Sequence, residues 1–173
     1  MRDRRAAFMR TKRLARDALL TAVALIIFVI EAQIPPIVPI PGIKLGLANI
    51  ITVCAVFMIG PWDALAILLC RIFLGSVFSG QMMALVYSLA GGLLCYAVML
   101  LMRRAVTIKQ VWVCSVFAAI AHNIGQMAAA VIITGTPAIL YYLPALLVSA
   151  VVTGLFTGLC AQLVISRGHI RWK

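Results

Sequence analysis

Arg71 stands inside an apolar run, where packing alone does not explain it. It falls about nine residues into a segment that reads as a membrane-crossing helix (62–78). At 1.5 Å per residue that is roughly 14 Å deep, near the centre of a hydrocarbon layer about 30 Å thick. A guanidinium there costs about 2.5–3.5 kcal/mol on insertion scales, so it must turn toward the protein interior and meet an anion. Two anions fit. One is Glu31, in the outer part of the first apolar run, giving an internal ion pair that fixes helix packing. The other is a bound ligand.

His122, Asn123 and Gln126 form a second group. On a helix His122 and Gln126 share a face with Asn123 beside them, so they draw a polar stripe from the midplane outward. Such residues either join neighbouring helices, at about 0.6 kcal/mol each, or line a cavity. Three within one turn and a half, at the depth of Arg71, favour the cavity. Lys44, in the preceding connection, and Asn49, at the start of the second span, add to the same outer half. Tyr141 and Tyr142 stand at the outer start of the last span, where a tyrosine closes a pocket or anchors the interface. Cations outnumber the one carboxylate, so the ligand of this outward-facing site is anionic, or amphipathic with an anionic head.

The elements that must position these groups follow from composition. Of 173 residues, 65% are hydrophobic and 11% charged. A soluble domain of that length is about half apolar and a quarter charged, so the excess requires a bilayer as solvent. At roughly 20 residues per crossing, about six helices fit. Apolar runs cover 18–34, 45–59, 62–78, 82–102, 111–133 and 140–165. The stretch 35–46 holds Pro35, Pro36, Pro39, Pro41, Gly42 and Gly46 and is a shaped loop. Gly60-Pro61-Trp62-Asp63 is a tight turn, with Asp63 placed to cap the next helix.

Net charge is +11, which in another setting would suggest nucleic acid, but the placement of the bases points to a membrane surface. All fifteen Lys and Arg except Lys44 and Arg71 lie in three clusters: before the first run, after the fourth, and after the last. Six spans put every cluster on one side, which the positive-inside rule makes cytoplasmic. Anionic lipids at the inner surface are the expected partners of these clusters, and no nucleic acid is expected. The chain therefore divides into a basic cytoplasmic segment (1–16), a single six-helix transmembrane domain (17–166) and a basic cytoplasmic tail (167–173).

Several chemistries find no residues to perform them. Asp3, Asp17, Glu31 and Asp63 are the only acids, too scattered to hold Mg²⁺ on a diphosphate. No Gly-x-x-x-x-Gly-Lys-Ser/Thr loop is present, so ATP is not bound in that way. His122 and His169 are separated by a span and lack thiolate partners at ligand spacing, and the five cysteines sit within apolar runs with no Cys-x-x-Cys pair. No catalytic residue, metal or cofactor is expected, and the chain does not read as an enzyme. Small residues recur every four positions, Ala18 and Ala22, then Ala84, Ser88 and Gly92, then Ala150, Gly154 and Gly158. Such ladders let helix backbones approach closely. Most serve packing within one chain, so only one is free to mark a partner surface.

Four stretches carry a resemblance: Ile34-Pro35-Pro36, the run from Pro39 through Pro41-Gly42-Ile43-Lys44-Leu45-Gly46-Leu47-Ala48-Asn49, Ala121-His122-Asn123-Ile124-Gly125-Gln126, and Tyr141-Tyr142-Leu143-Pro144. Over roughly 16–165 the chain resembles a bacterial membrane family described both as Gx transporter family and as heptaprenyl diphosphate synthase component I. That family is similar to the substrate-binding S components of energy-coupling factor (ECF) transporters, six-helix proteins with both ends inside. The resemblance implies an ECF S-component-like bundle in the bacterial cytoplasmic membrane that captures a scarce nutrient from outside. It also implies a transmembrane coupling subunit and two ATPases as partners, with Ala18 and Ala22 matching the S components' alanine-x-x-x-alanine coupling motif. The synthase description implies instead an accessory membrane subunit of isoprenoid metabolism, because the aspartate-rich motifs of prenyl diphosphate synthases are missing. A third implied role is an indirect one in a quinone- or flavin-linked electron-transfer system. A scaffold whose polar residues only join helices is the alternative to all three.

Overall fold

The computed structural model describes residues 2–34, 44, 46–80 and 82–167. The loop over 35–43, Leu45, Gln81 and the tail with His169, Arg171 and Lys173 lie outside the described residues. Helix α1 (Arg2–Glu31) is followed by α2 (Asn49–Met58), α3 (Pro61–Ser79), α4 (Met82–Met102), α5 (Val111–Thr134) and α6 (Leu143–Arg167). Short 3-10 helices, Ile108–Gln110 and Pro137–Tyr142, lead into α5 and α6. Every regular element among the described residues is helical. Four stretches, Pro61–Ser79, Met82–Met102, Ile108–Thr134 and Pro137–Arg167, are long and apolar enough to cross a membrane, which makes this a multi-pass membrane protein. Residues such as Phe73, Ile132, Val148 and Phe156 are exposed on these helices, as lipid-facing side chains are.

The basic segment and the first apolar run form one continuous helix, because nothing between Arg2 and Glu31 interrupts it and Ala and Leu favour its extension. The second helix is shorter than the run at 45–59 suggested, beginning only at Asn49. Gly46 adopts φ +83 and the backbone turns at Leu47 and Ala48. A positive φ takes the chain off the helical path, and Gly accepts it without a Cβ clash. At ten residues, α2 is about 15 Å long, half the hydrocarbon thickness.

Asp63 does not cap α3. The N-cap is Gly60, with Pro61 at the first helical position and no side-chain cap. Asp63 instead accepts hydrogen bonds from Arg13, whose Nε lies 2.8 Å from Oδ1, and from Arg16, whose Nη2 lies 2.6 Å from Oδ2. Two guanidiniums add full opposite charge to their hydrogen bonds with the carboxylate, which backbone N–H groups cannot supply.

These contacts fix the register of α1 against α3. Arg16 stands opposite Asp63, and one turn after another the pairing continues to Phe28, whose ring fills the space over Gly75 at 3.0 Å from where a Cβ would be. Both pairs are offset by the same number of residues, so the helices run in the same direction without slippage. Elsewhere the closest approaches use glycine. A Cβ on Gly125 would meet the Ala90 carbonyl at 2.7 Å, and one on Gly158 would meet Trp112 Cα at 2.6 Å. The third small-residue ladder thus packs α6 on α5, with Gly154 against Val116 and Ser115. Ala84, Ser88 and Gly92 are likewise buried within the bundle. Ala18 and Ala22 are exposed.

Candidate functional site

Six of the seven candidate binding residues are buried: Glu31, Asn49, Arg71, His122, Asn123 and Gln126. Lys44 is half-buried. The register of α1 and α3 explains why Arg71 and Glu31 do not form an ion pair. Arg71 lies level with Ala24, seven residues before Glu31, or about 10 Å along the axis. Among the described residues, the ion pairs within 4.0 Å join Arg13, Arg16, Asp17 and Asp63. Arg71 and Glu31 feel each other's charge, but each hydrogen-bonds elsewhere. Arg71 Nη2 donates to Asn49 Oδ1 at 3.1 Å, and Glu31 Oε1 accepts from the Gly46 N–H at 2.6 Å.

The return of the loop into α2 is the hub of the site. The Lys44 N–H donates to Gln126 Oε1 at 3.3 Å, tying the same segment to α5. Gly46 sits so close to Asn49 and His122 that a Cβ would fall 2.8 Å from Asn49 Nδ2 and 3.0 Å from His122 Cδ2. Gly91 on α4 makes the corresponding space from the other side. Its Cβ would collide with the His122 carbonyl and Gln126 Cγ, each at 2.7 Å. The Lys44 ammonium rests over the Phe28 ring, 3.4 Å from its centroid, a cation–π contact that holds the charge toward the bundle.

Asn123 departs from its neighbours. Its Nδ2 donates to the Leu146 carbonyl at 2.8 Å and so joins α5 to α6, away from the face shared by His122 and Gln126. Tyr141 and Tyr142 are exposed, Tyr141 to 88%, and close nothing. They stand as interfacial tyrosines do.

Burial without a partner marks where the site is incomplete. Arg71 Nε, His122 Nδ1 and Asn123 Oδ1 are buried side-chain atoms with no hydrogen-bond partner, and the fourth such atom among the described residues, Gln162 Oε1, lies far along α6. The imidazole lies beside Gly91 without a well-formed bond at Nδ1. Buried polar groups are ordinarily paired, and each orphan costs about 1–3 kcal/mol. Two of them, Arg71 Nε and His122 Nδ1, belong to groups within electrostatic range of each other, and such a pair can receive an anion and a further polar group. Among the described residues no cluster of three His, Cys, Asp or Glu could hold a metal ion.

A family model matches most of the chain. The description "Heptaprenyl diphosphate synthase component I" covers residues 20–164. This chain belongs to that family. No curated protein and no solved structure matches it. In this component I family member the matched stretch begins just past Ala18 and includes every candidate binding residue.

Phe28 and Gly91 contribute to the component I site without having been singled out in the sequence, and Gly46 stood out there only as a loop glycine. Phe28 is one of many aromatic residues in apolar runs, and nothing in its spacing announces Lys44 as its partner. Gly91 has a visible signal in the Gly91-Gly92 pair, which offers α4 two bare faces. Cys95, also buried, lies within the electrostatic range of Arg71.

Proposed function

We propose that this protein is the membrane-embedded S component of an ECF-type ATP-driven importer, capturing a small anionic or amphipathic ligand from the outer side. The observation that carries this reading is the Arg71 guanidinium, buried to 4% exposure, not neutralised by Glu31, and with Nε still open. A purely structural arginine in lipid would be expected to saturate its donors, because each unpaired one is costly there. Arg71 and Lys44 hold the anionic part of the ligand. His122, Gln126 and Asn49 hydrogen-bond the rest, while Asn123, first expected on the ligand, holds α5 to α6 behind them. Glu31 sets the loop return through Gly46, or takes a ligand amine when that bond opens.

In this reading the apolar half of α1 and the short α2, extended by the turn before it, complete six crossings with both termini in the cytoplasm. Of the three small-residue ladders, two are consumed inside the chain and the one on α1 faces outward. α1 packs on α2 and α3 and stands at the edge of the bundle. Ala18 and Ala22 are then the surface for the transmembrane coupling subunit, which two ATPases drive. The chain itself performs no chemistry.

A second reading rests on the family's description: a non-catalytic accessory subunit of a prenyl diphosphate synthase, or of quinone- or flavin-linked electron transfer. Two measurements separate them. Small molecules that co-purify with the detergent-solubilised protein, identified by mass spectrometry, should include an anion that is absent from Arg71→Met. Affinity capture should recover a coupling subunit and ATPases. Recovery of a soluble prenyl synthase, with no small anion bound, would establish the second reading and end the first.

A further inference from the structure

The end of the bundle opposite the candidate site carries a cleft of its own. It has a volume of about 470 Å³ and lies between the basic half of α1 and the turn from α2 to α3. Arg10, Lys12, Arg13 and Arg16 line it against one carboxylate, Asp63, with Met9 and Ile59 as its apolar side chains. Arg16 is engaged by Asp17 and Asp63. Arg13 also grips Asp63, yet its side chain remains 60% exposed, and Arg10 is exposed.

We propose that this cleft binds a phosphate group, and that the phosphate is the headgroup of an anionic phospholipid. Three observations support it. Arg10 and Arg13 alone carry more charge than Asp63, so that side of the cleft retains a positive field. Arg13 already takes an oxyanion, Asp63, through Nε and a terminal nitrogen, the fork geometry that also grips a phosphate. The depth is that of a headgroup. Trp62, adjacent to Asp63, is 77% exposed at the start of α3, and Trp112 is partly exposed at the start of α5. Tryptophans so placed settle at the membrane–water boundary. Tyr96 Oη donates to the Pro61 carbonyl at 2.7 Å, which ties α4 to the start of α3 about two turns before Arg103 and Arg104. Met9 and Ile59 then meet the glycerol and upper acyl chain, while Arg10 and Arg13 meet the phosphate.

Asp63 is the internal competitor for that phosphate, which makes its removal informative. Full-length protein in detergent is titrated with phosphatidylglycerol, phosphatidylcholine or inorganic phosphate, and bound molecules are counted by native mass spectrometry. Phosphatidylglycerol should be retained in preference to phosphatidylcholine. The pair Arg10→Gln and Arg13→Gln should weaken it about 25-fold, at roughly fivefold per surface charge removed. Asp63→Asn should strengthen it, whereas an ion-pair network with only a structural role would gain no lipid on losing its acid. Displacement of the lipid by millimolar inorganic phosphate would keep the phosphate site but assign it a soluble ligand. The proposal is overturned if the double variant holds phosphatidylglycerol as tightly as the parent chain, or if Asp63→Asn, still folded by thermal melting, binds it more weakly. Capture of an acidic protein segment with no preference between the two lipids would overturn it as well.

Discussion

Replacing Arg71 with Met separates the two uses a buried guanidinium can have. The side chain is 4% exposed and makes one hydrogen bond, to Asn49 at 3.1 Å. Removing it leaves Asn49 Oδ1 without its donor, at a cost of about 1–3 kcal/mol. It also removes a charge whose placement in the bilayer costs about 2.5–3.5 kcal/mol. Met has similar length and no charge, so the space stays filled. The two effects nearly offset, and the variant should lie between about 0.5 kcal/mol less stable and about 2.5 kcal/mol more stable than the parent. Ligand capture has no such offset. A bidentate grip by Nε and a terminal nitrogen amounts to about 3–6 kcal/mol, so affinity should fall between about 10²-fold and 10⁴-fold. Thermal unfolding in detergent reads the first quantity and mass spectrometry of co-purified anions reads the second. Arg71→Lys, which keeps the charge but not the fork, should fall between. A variant that loses more than about 3 kcal/mol of stability while carrying the same anion in the same amount would refute the reasoning, because Arg71 would then serve the fold alone.

Other perturbations act on the walls of the site and on the proposed partner surface of α1. Gly91→Ala drives a methyl against the His122 carbonyl and Gln126, and should cost about 1–3 kcal/mol by overpacking; a melting temperature equal to the parent's would show that α4 can step back freely. Ala18→Leu with Ala22→Leu enlarges exposed positions, so stability should change by less than about 0.5 kcal/mol, while recovery of the coupling subunit in affinity capture is lost. Undiminished recovery would remove α1 from the interface. Desolvation holds the Lys44 ammonium below the usual lysine value, with Glu31 pulling the other way and Arg71 reinforcing the decrease. The unfolded chain then binds the extra proton over the interval between the lowered and ordinary values, so the ligand-free protein should gain stability as pH rises through it. Affinity for an anion should fall over the same interval, and Lys44→Met should abolish that pH limb in a titration of bound ligand.

The helices were legible because each rests on local information. Apolar runs bounded by Gly60-Pro61, Gly80 and Gly135 can end in few ways, and both ends of α3, the start of α4 and the end of α5 fall within a residue or two of those signals. Boundaries set by long-range contacts were not legible. Asp63 has the sequence position of a helix cap, and only its distance to Arg13 and Arg16 sends it elsewhere. The start of α2 lies at Asn49 because Gly46 takes a positive φ, in a segment whose Lys44 and Gly46 N–H groups are held by Gln126 and Glu31, residues 82 and 15 positions away. The polar residues were found because charge and amide groups in lipid are expensive wherever they sit. Their partners were not, since spacing along one helix says nothing about which glycine of another will face it.

By itself the sequence determined that this chain lives in a membrane as a helical protein, and that Arg71, His122, Asn123 and Gln126 must be turned inward. Hydration cost depends on residue type and on the length of the apolar run around it, and both are written in one dimension. The tertiary structure decided that Arg71 meets Asn49 rather than Glu31, that Asn123 turns to α6 while His122 faces Gly46 and Gly91, and that Ala18 and Ala22 remain uncovered. Those outcomes depend on the relative register of packed helices. The axial separation of about 10 Å between Arg71 and Glu31 arises only once Arg16 has found Asp63 and Phe28 has found Gly75.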